Sequence, residues 1–131
     1  KYNAHTAPLF KKEKILPFES LVQYFQMLFM HDHKHKRIPR SFFNVWRTIE
    51  ENNIQYPVRN RHDYRINQAR INLTERLPIC KLPKVWNSYS SQQTKHIISK
   101  EAFKLNVKKD LLESIDIVCT RLLCPICHLR L

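Results

Sequence analysis

The sequence predicts a mainly α fold with a small two-stranded β ribbon in the middle. Three observations point there. Glycine is absent from the 131 residues, where average usage of about 7% would supply roughly nine. Tight primed hairpins need positive φ, so any hairpin here must use Asn or a longer loop. Apolar residues then recur at helical spacing over residues 18–30, and again over 100–115 behind a serine,.

Taken in order, Thr6 is placed to cap a short helix over Ala7–Lys14, with Pro8 in its first turn,. Leu9 and Phe10 form its apolar side; Lys11, Lys12 and Lys14 form the basic one. Leu16-Pro17 breaks it, and a second helix starts at Pro17 with Glu19 in its first turn, where the helix dipole favours an acid. Phe18, Leu21, Val22, Phe25, Leu28 and Phe29 form its predicted core stripe,. Tyr24, Met27 and Met30 widen that face, which predicts burial on more than one side. The helix runs out in His31, Asp32, His33, Lys34, His35, Lys36 and Arg37, read as a hydrated basic turn closed by Pro39.

A short helical turn is expected around Phe42, Phe43 and Trp46, followed by an irregular loop over residues 50–69 punctuated by Asn and Pro,. Arg70–Leu73 and Leu77–Leu82 alternate weakly and are read as the two strands of the ribbon. Pro83 leads into a helical turn carrying Trp86, and Ser88–Thr94 reads as a polar linker. Ser99 caps a final helix over Lys100–Ile115 with Phe103, Val107, Leu111, Leu112 and Ile115 as its core stripe,. Trp46 and Trp86 are expected to be core anchors. The organisation expected is a helical region over 1–115 and a cysteine-containing tail over 116–131.

Lys and Arg number 23 against 11 acids, a net charge of +12. Such a balance favours polyanions, nucleic acid before anionic membrane; a solvated charged face is the alternative. No apolar run is long enough for a membrane span, and no signal peptide opens the chain. Without glycine there is no phosphate-binding loop, no dinucleotide fingerprint and no nucleophile elbow. A nuclear or cytoplasmic location, not secretion, is expected, with reduced thiols.

Three basic clusters are the candidates for phosphate contact. They are Lys11, Lys12 and Lys14; Arg59, Arg61, Arg65 and Arg70, interleaved with His62 and Tyr64; and the helical stripe Lys100, Lys104 and Lys108. Tyr64 is a candidate for stacking on a base or sugar. Cys119, Cys124, Cys127 and His128 have the only spacing suited to zinc, which takes four N or S ligands. Packing of those cysteines as small hydrophobes is the alternative. No two of Asp32, Asp63, Asp110 and Asp116 are adjacent, so no carboxylate pair suited to two-metal chemistry is visible and no catalytic residue is assigned.

Two blocks about seventy residues apart carry a family resemblance. Residues 5–15 read His-Thr-Ala-Pro-Leu-Phe-Lys-Lys-Glu-Lys-Ile, and residues 83–87 read Pro-Lys-Val-Trp-Asn. With Phe29-Met30, with Pro39 and Ser41-Phe42, and with Phe103-Lys104, they resemble the region that follows the polymerase core in reverse transcriptases of non-LTR retrotransposons, especially jockey-like elements of arthropods. Family members usually carry a hydrophobe where Glu13 stands, and Leu-Pro where this chain has Ser88-Tyr89; these departures mark a divergent copy.

The resemblance implies a helical thumb and connector that grips the template–primer duplex behind an active site lying upstream of Lys1. It implies RNA and DNA as partners, together with the upstream polymerase domain of the same parent chain and no membrane. Mg²⁺ would belong to that parent, with zinc possible only at the terminal cysteines. Within this picture Lys11, Lys12 and Lys14 fall in a matched block, and Cys119–His128 is similar to cysteine-rich tails of some elements. Two other readings remain: a protein-interaction module using the Phe18–Met30 face, and a small zinc-binding nucleic-acid domain.

Overall fold

The computed structural model describes residues 6–52, 62–68 and 70–115. They are mainly helical: α1 (Thr6–Lys12), α2 (Phe18–Lys34), α3 (Asn72–Glu75), α4 (Pro78–Ser88), α5 (Gln92–Lys95) and α6 (Lys100–Glu113), with 3-10 turns at Arg40–Phe42 and Glu50–Asn52. α2 is the hub, packed on both α4 and α6, while α5 leans on α6 and α3 on α4.

With no glycine to end them, α1 and α2 close on lysines in the left-handed region, Lys14 at φ 53° and Lys36 at φ 54°. Each helix end closes with the same pair of backbone hydrogen bonds. Ile15 N donates to Phe10 O and Lys14 N to Lys11 O; Arg37 N donates to Asp32 O and Lys36 N to His33 O. This is the Schellman arrangement, in which glycine is the usual left-handed residue.

The core gathers Met27, Met30, Trp46, Tyr64, Trp86 and Phe103. The two tryptophans are anchors, as expected. α6 follows its predicted stripe: Ser99 Oγ accepts from Ala102 N at the cap, and Phe103, Val107 and Leu111 are buried.

α2 departs from its predicted stripe. Phe18 is 79% exposed and Phe25 59% exposed, whereas Met27, Met30 and His31 are sealed. The packing partners α4 and α6 bury the C-terminal half of α2, so burial follows them and not the most hydrophobic side chains. The histidine tract, read as hydrated, is consequently part of the interior. His31 stacks on Phe103 with ring centroids 4.0 Å apart and bonds Ile97 O through Nε2 at 2.8 Å. His33 Nδ1 meets the Tyr64 hydroxyl at 2.9 Å.

The β ribbon is corrected. Arg70–Leu73 and Leu77–Leu82 belong to the segments that form α3 and α4, and no strand occurs among the described residues. Leu77 caps α4 with extended backbone and Pro78 takes the first turn, where a missing N–H costs nothing. The buried positions Cys80, Pro83 and Trp86 recur every three residues, the spacing of one helix face. The only pairing of β type among the described residues is a single antiparallel bridge between Thr48 and Tyr64. The linker read over Ser88–Thr94 is also corrected. It holds most of α5, whose cap Ser91 accepts from Thr94 N, and Tyr89 and Thr94 are buried.

Pro83 does not only lead into the Trp86 turn; it sits inside α4. It cannot donate to the carbonyl four residues back, that of Ile79. The indole Nε1–H of Trp46 donates there instead, at 3.2 Å. At the end of the same segment, Asn87 brackets the Tyr64 backbone, accepting from its N at 2.9 Å and donating to its O at 2.8 Å. The 83–87 block is thus a fold device: it seats both tryptophans and clamps the bridge.

Candidate nucleic-acid interface

The basic residues divide into those the fold consumes and those it leaves free. Lys34 and Lys95 are consumed. Their ammoniums stand 5.7 and 6.0 Å from the centre of the Trp86 ring, within cation–π range. Lys34 Nζ donates to Lys95 O at 3.1 Å. Lys95 is 3% exposed and donates to Asn87 O at 3.4 Å, with Asp63 3.8 Å away. Burial lowers the affinity of both ammoniums for their protons, because an apolar surround disfavours charge.

Lys100, first in the predicted α6 stripe, donates to Asp32 Oδ2 at 2.7 Å and ties α6 to α2. Lys104 is half-buried and Lys108 exposed; neither enters an ion pair among the described residues. Lys11, Lys12 and Lys14 are exposed together at the end of α1. Arg65 and Arg70 are exposed. Arg59, Arg61, Cys119, Cys124, Cys127 and His128, and with them the expected 116–131 tail, lie outside the described residues.

Tyr64 is not available for stacking on a base. It is 2% exposed, and burial raises its phenol pKa far above the ordinary value. Its hydroxyl is committed to His33. The described aspartates do not fit a pair of Mg²⁺ ions. Asp32 holds Lys100, Asp63 faces Lys95, and Asp110 accepts from Tyr89 Oη and from Thr94 Oγ1. They sit on separate segments, each engaged in joining parts of the fold. No group of His, Cys, Asp and Glu suited to a metal ion occurs among the described residues.

The structure adds basic residues that sequence reasoning missed. Lys36, Arg40 and Arg47 line a pocket of about 340 Å³ that Glu51 also borders. Arg47 and Arg65 line a second, of about 190 Å³. Asn44 and Arg47 border both, so the two adjoin. The sequence offered a weak signal: four cations between residues 36 and 47 around a proline. Their convergence with Arg65 depends on the Thr48–Tyr64 bridge, which links segments separated by the whole of residues 50–62.

No helix among the described residues is long and apolar enough to cross a membrane. Comparison with protein-family models, with curated proteins and with solved structures finds no match.

Proposed function

We propose that the chain is the thumb and connector region of a non-LTR retrotransposon reverse transcriptase, gripping an RNA–DNA or DNA duplex through its phosphates and contributing no catalytic residue. The observation that carries this reading is the joint exposure of Lys11, Lys12 and Lys14, within the block that most resembles the family. The +12 net charge supports it. Long cations on a helix end reach phosphate oxygens and hold a duplex without reading its bases. Nuclear or cytoplasmic residence and an upstream polymerase partner belong to the same proposal, as does zinc at Cys119, Cys124, Cys127 and His128.

Titrating duplex affinity against salt tests it. Each phosphate contact on B-DNA contributes a slope of about −0.9 in log K against log salt. A steep negative slope is expected, shallower for Lys11→Gln/Lys12→Gln. A flat slope overturns the reading.

A second reading has its own observation. Phe18, Leu21 and Phe25, spaced to share one side of α2, are exposed, 79%, 39% and 59% respectively. An apolar helix face left exposed in this way suits a protein contact, which in the family picture is the polymerase core. Sedimentation of the isolated chain tests it: self-association that Phe18→Gln/Phe25→Gln abolishes supports docking, and a monomer at all concentrations counts against it.

A further inference from the structure

Across an antiparallel bridge the neighbours of the paired residues also face each other. Thr48 is bridged to Tyr64, with Arg65 N donating to Arg47 O at 2.9 Å and Ile49 N to Asp63 O at 3.0 Å. Arg47 therefore stands opposite Arg65. Side chains alternate between the two faces. Tyr64 turns into the core, so the two arginines turn outward, and both are exposed. In such pairs the Cβ atoms lie about 4.5–5.5 Å apart, and like charges there are destabilising.

No carboxylate forms an ion pair with Arg47 or Arg65 among the described residues. Lys36 and Arg40 extend the same surface, joined to Arg47 by the shared pocket. Its one acid, Glu51, is turned to the backbone: Oε2 accepts from Thr48 N at 2.9 Å. The surface thus gathers four cations, Lys36, Arg40, Arg47 and Arg65, against the one carboxylate of Glu51. Arginines on facing positions, lining one pocket, suit the oxygens of a phosphate, which can bridge two guanidinium forks and cancel their repulsion.

We propose that Arg47 and Arg65, with Lys36 and Arg40, form a phosphate-binding ledge that takes the phosphodiester backbone of a nucleic-acid duplex. The polymeric ligand rests on the duplex-binding reading above; the phosphate site itself does not. The ledge is separate in sequence from Lys11, Lys12 and Lys14, and it adds a second point of grip that fixes the duplex's direction across the surface.

The test compares the full chain with Arg47→Gln/Arg65→Gln, both side chains being exposed and outside the core. Thermal melts at low ionic strength are run with inorganic phosphate and with chloride at matched ionic strength. Phosphate should raise the melting temperature of the parent above chloride. The double variant should melt higher than the parent in chloride, because the repulsion is gone, and should lose the phosphate response. Its duplex salt slope should shrink by about 0.9 for each arginine removed. A parent indifferent to phosphate overturns the ledge. So does a double variant with an undiminished duplex slope, while a steep slope sensitive to Lys11→Gln/Lys12→Gln leaves the general reading standing. A parent that answers phosphate through these arginines yet ignores duplex overturns the nucleic-acid ligand and the general reading together.

Discussion

The indole N–H of Trp46 donates to the carbonyl oxygen of Ile79, the acceptor that Pro83 leaves open inside α4. A proline inside a helix usually costs about 3 kcal/mol, part of it the lost hydrogen bond. Here a tryptophan from a different segment makes up that bond. The helix break and the tertiary contact are one feature.

A double-mutant cycle should expose the coupling. Trp46→Phe leaves Ile79 O without its donor and should cost about 1–3 kcal/mol beyond the loss of packing. In a Pro83→Ala background the helix supplies its own donor to Ile79, so the same substitution should cost less, with an interaction energy of about 1 kcal/mol. Urea unfolding of the four proteins measures it; strictly additive effects would show that the indole bond does not substitute for the missing one.

The fold should weaken in mild acid. Burial lowers the pKa of His31 and His33 below the ordinary 6.5. His31 Nδ1 is buried without a partner, so a second proton on that ring has no acceptor; at His33 burial outweighs the backbone carbonyls of Phe42 and Phe43, which favour the charged ring. Around these rings lie His35, Arg37 and Asp32 on α2's end, with Glu51 opposite His33. Below 6.5 the unfolded chain binds more protons than the folded one, so stability falls as pH falls; above 6.5 the contribution is fully present. The urea midpoint should be lower at about pH 5.5 than at about pH 7.5. A midpoint unchanged over that window contradicts the account.

Lys14→Gly and Lys36→Gly should each stabilise the chain. A left-handed conformation costs a residue with a Cβ about 1–2 kcal/mol, set against the larger unfolded-state entropy of glycine. The net gain expected is up to about 1 kcal/mol, read as a higher urea midpoint at constant m-value. Lys12→Gly, inside α1, should move the midpoint the other way.

Lys100 should behave as a fold residue, unlike its stripe neighbour Lys108. Asp32 is largely sheltered, with 17% of its side chain exposed, and its Oδ1 has no other partner. Lys100→Met strips its counter-charge and should cost about 1–3 kcal/mol, while Lys108→Met should stay within about 0.5 kcal/mol. Equal effects from the two substitutions would deny Lys100 this role.

Much of the fold was legible because helix signals are local. The Ser99 cap, the Phe103–Val107–Leu111 spacing, and the break at Leu16-Pro17 each depend on residues within a turn or two. The exposed cluster Lys11, Lys12 and Lys14 was legible for the same reason. The histidines and Tyr64 were not: their polarity argued for water, and only partners far along the chain, Ile97 for His31 and His33 for Tyr64, satisfy them inside. The ribbon failed because weak alternation over short stretches carries less than a proline placed to open a helix.

By itself the sequence determined the helical character, the positive charge and the places where α1, α2 and α6 begin, since propensity, capping and net charge are sums over neighbours. Only the tertiary structure decided which side of α2 is buried, which lysines are spent on Trp86 and Asp32, and that Arg47 meets Arg65. Those outcomes depend on which surfaces α4, α6 and the Thr48–Tyr64 bridge bring together, and contact energies between distant segments leave no periodic trace in either one.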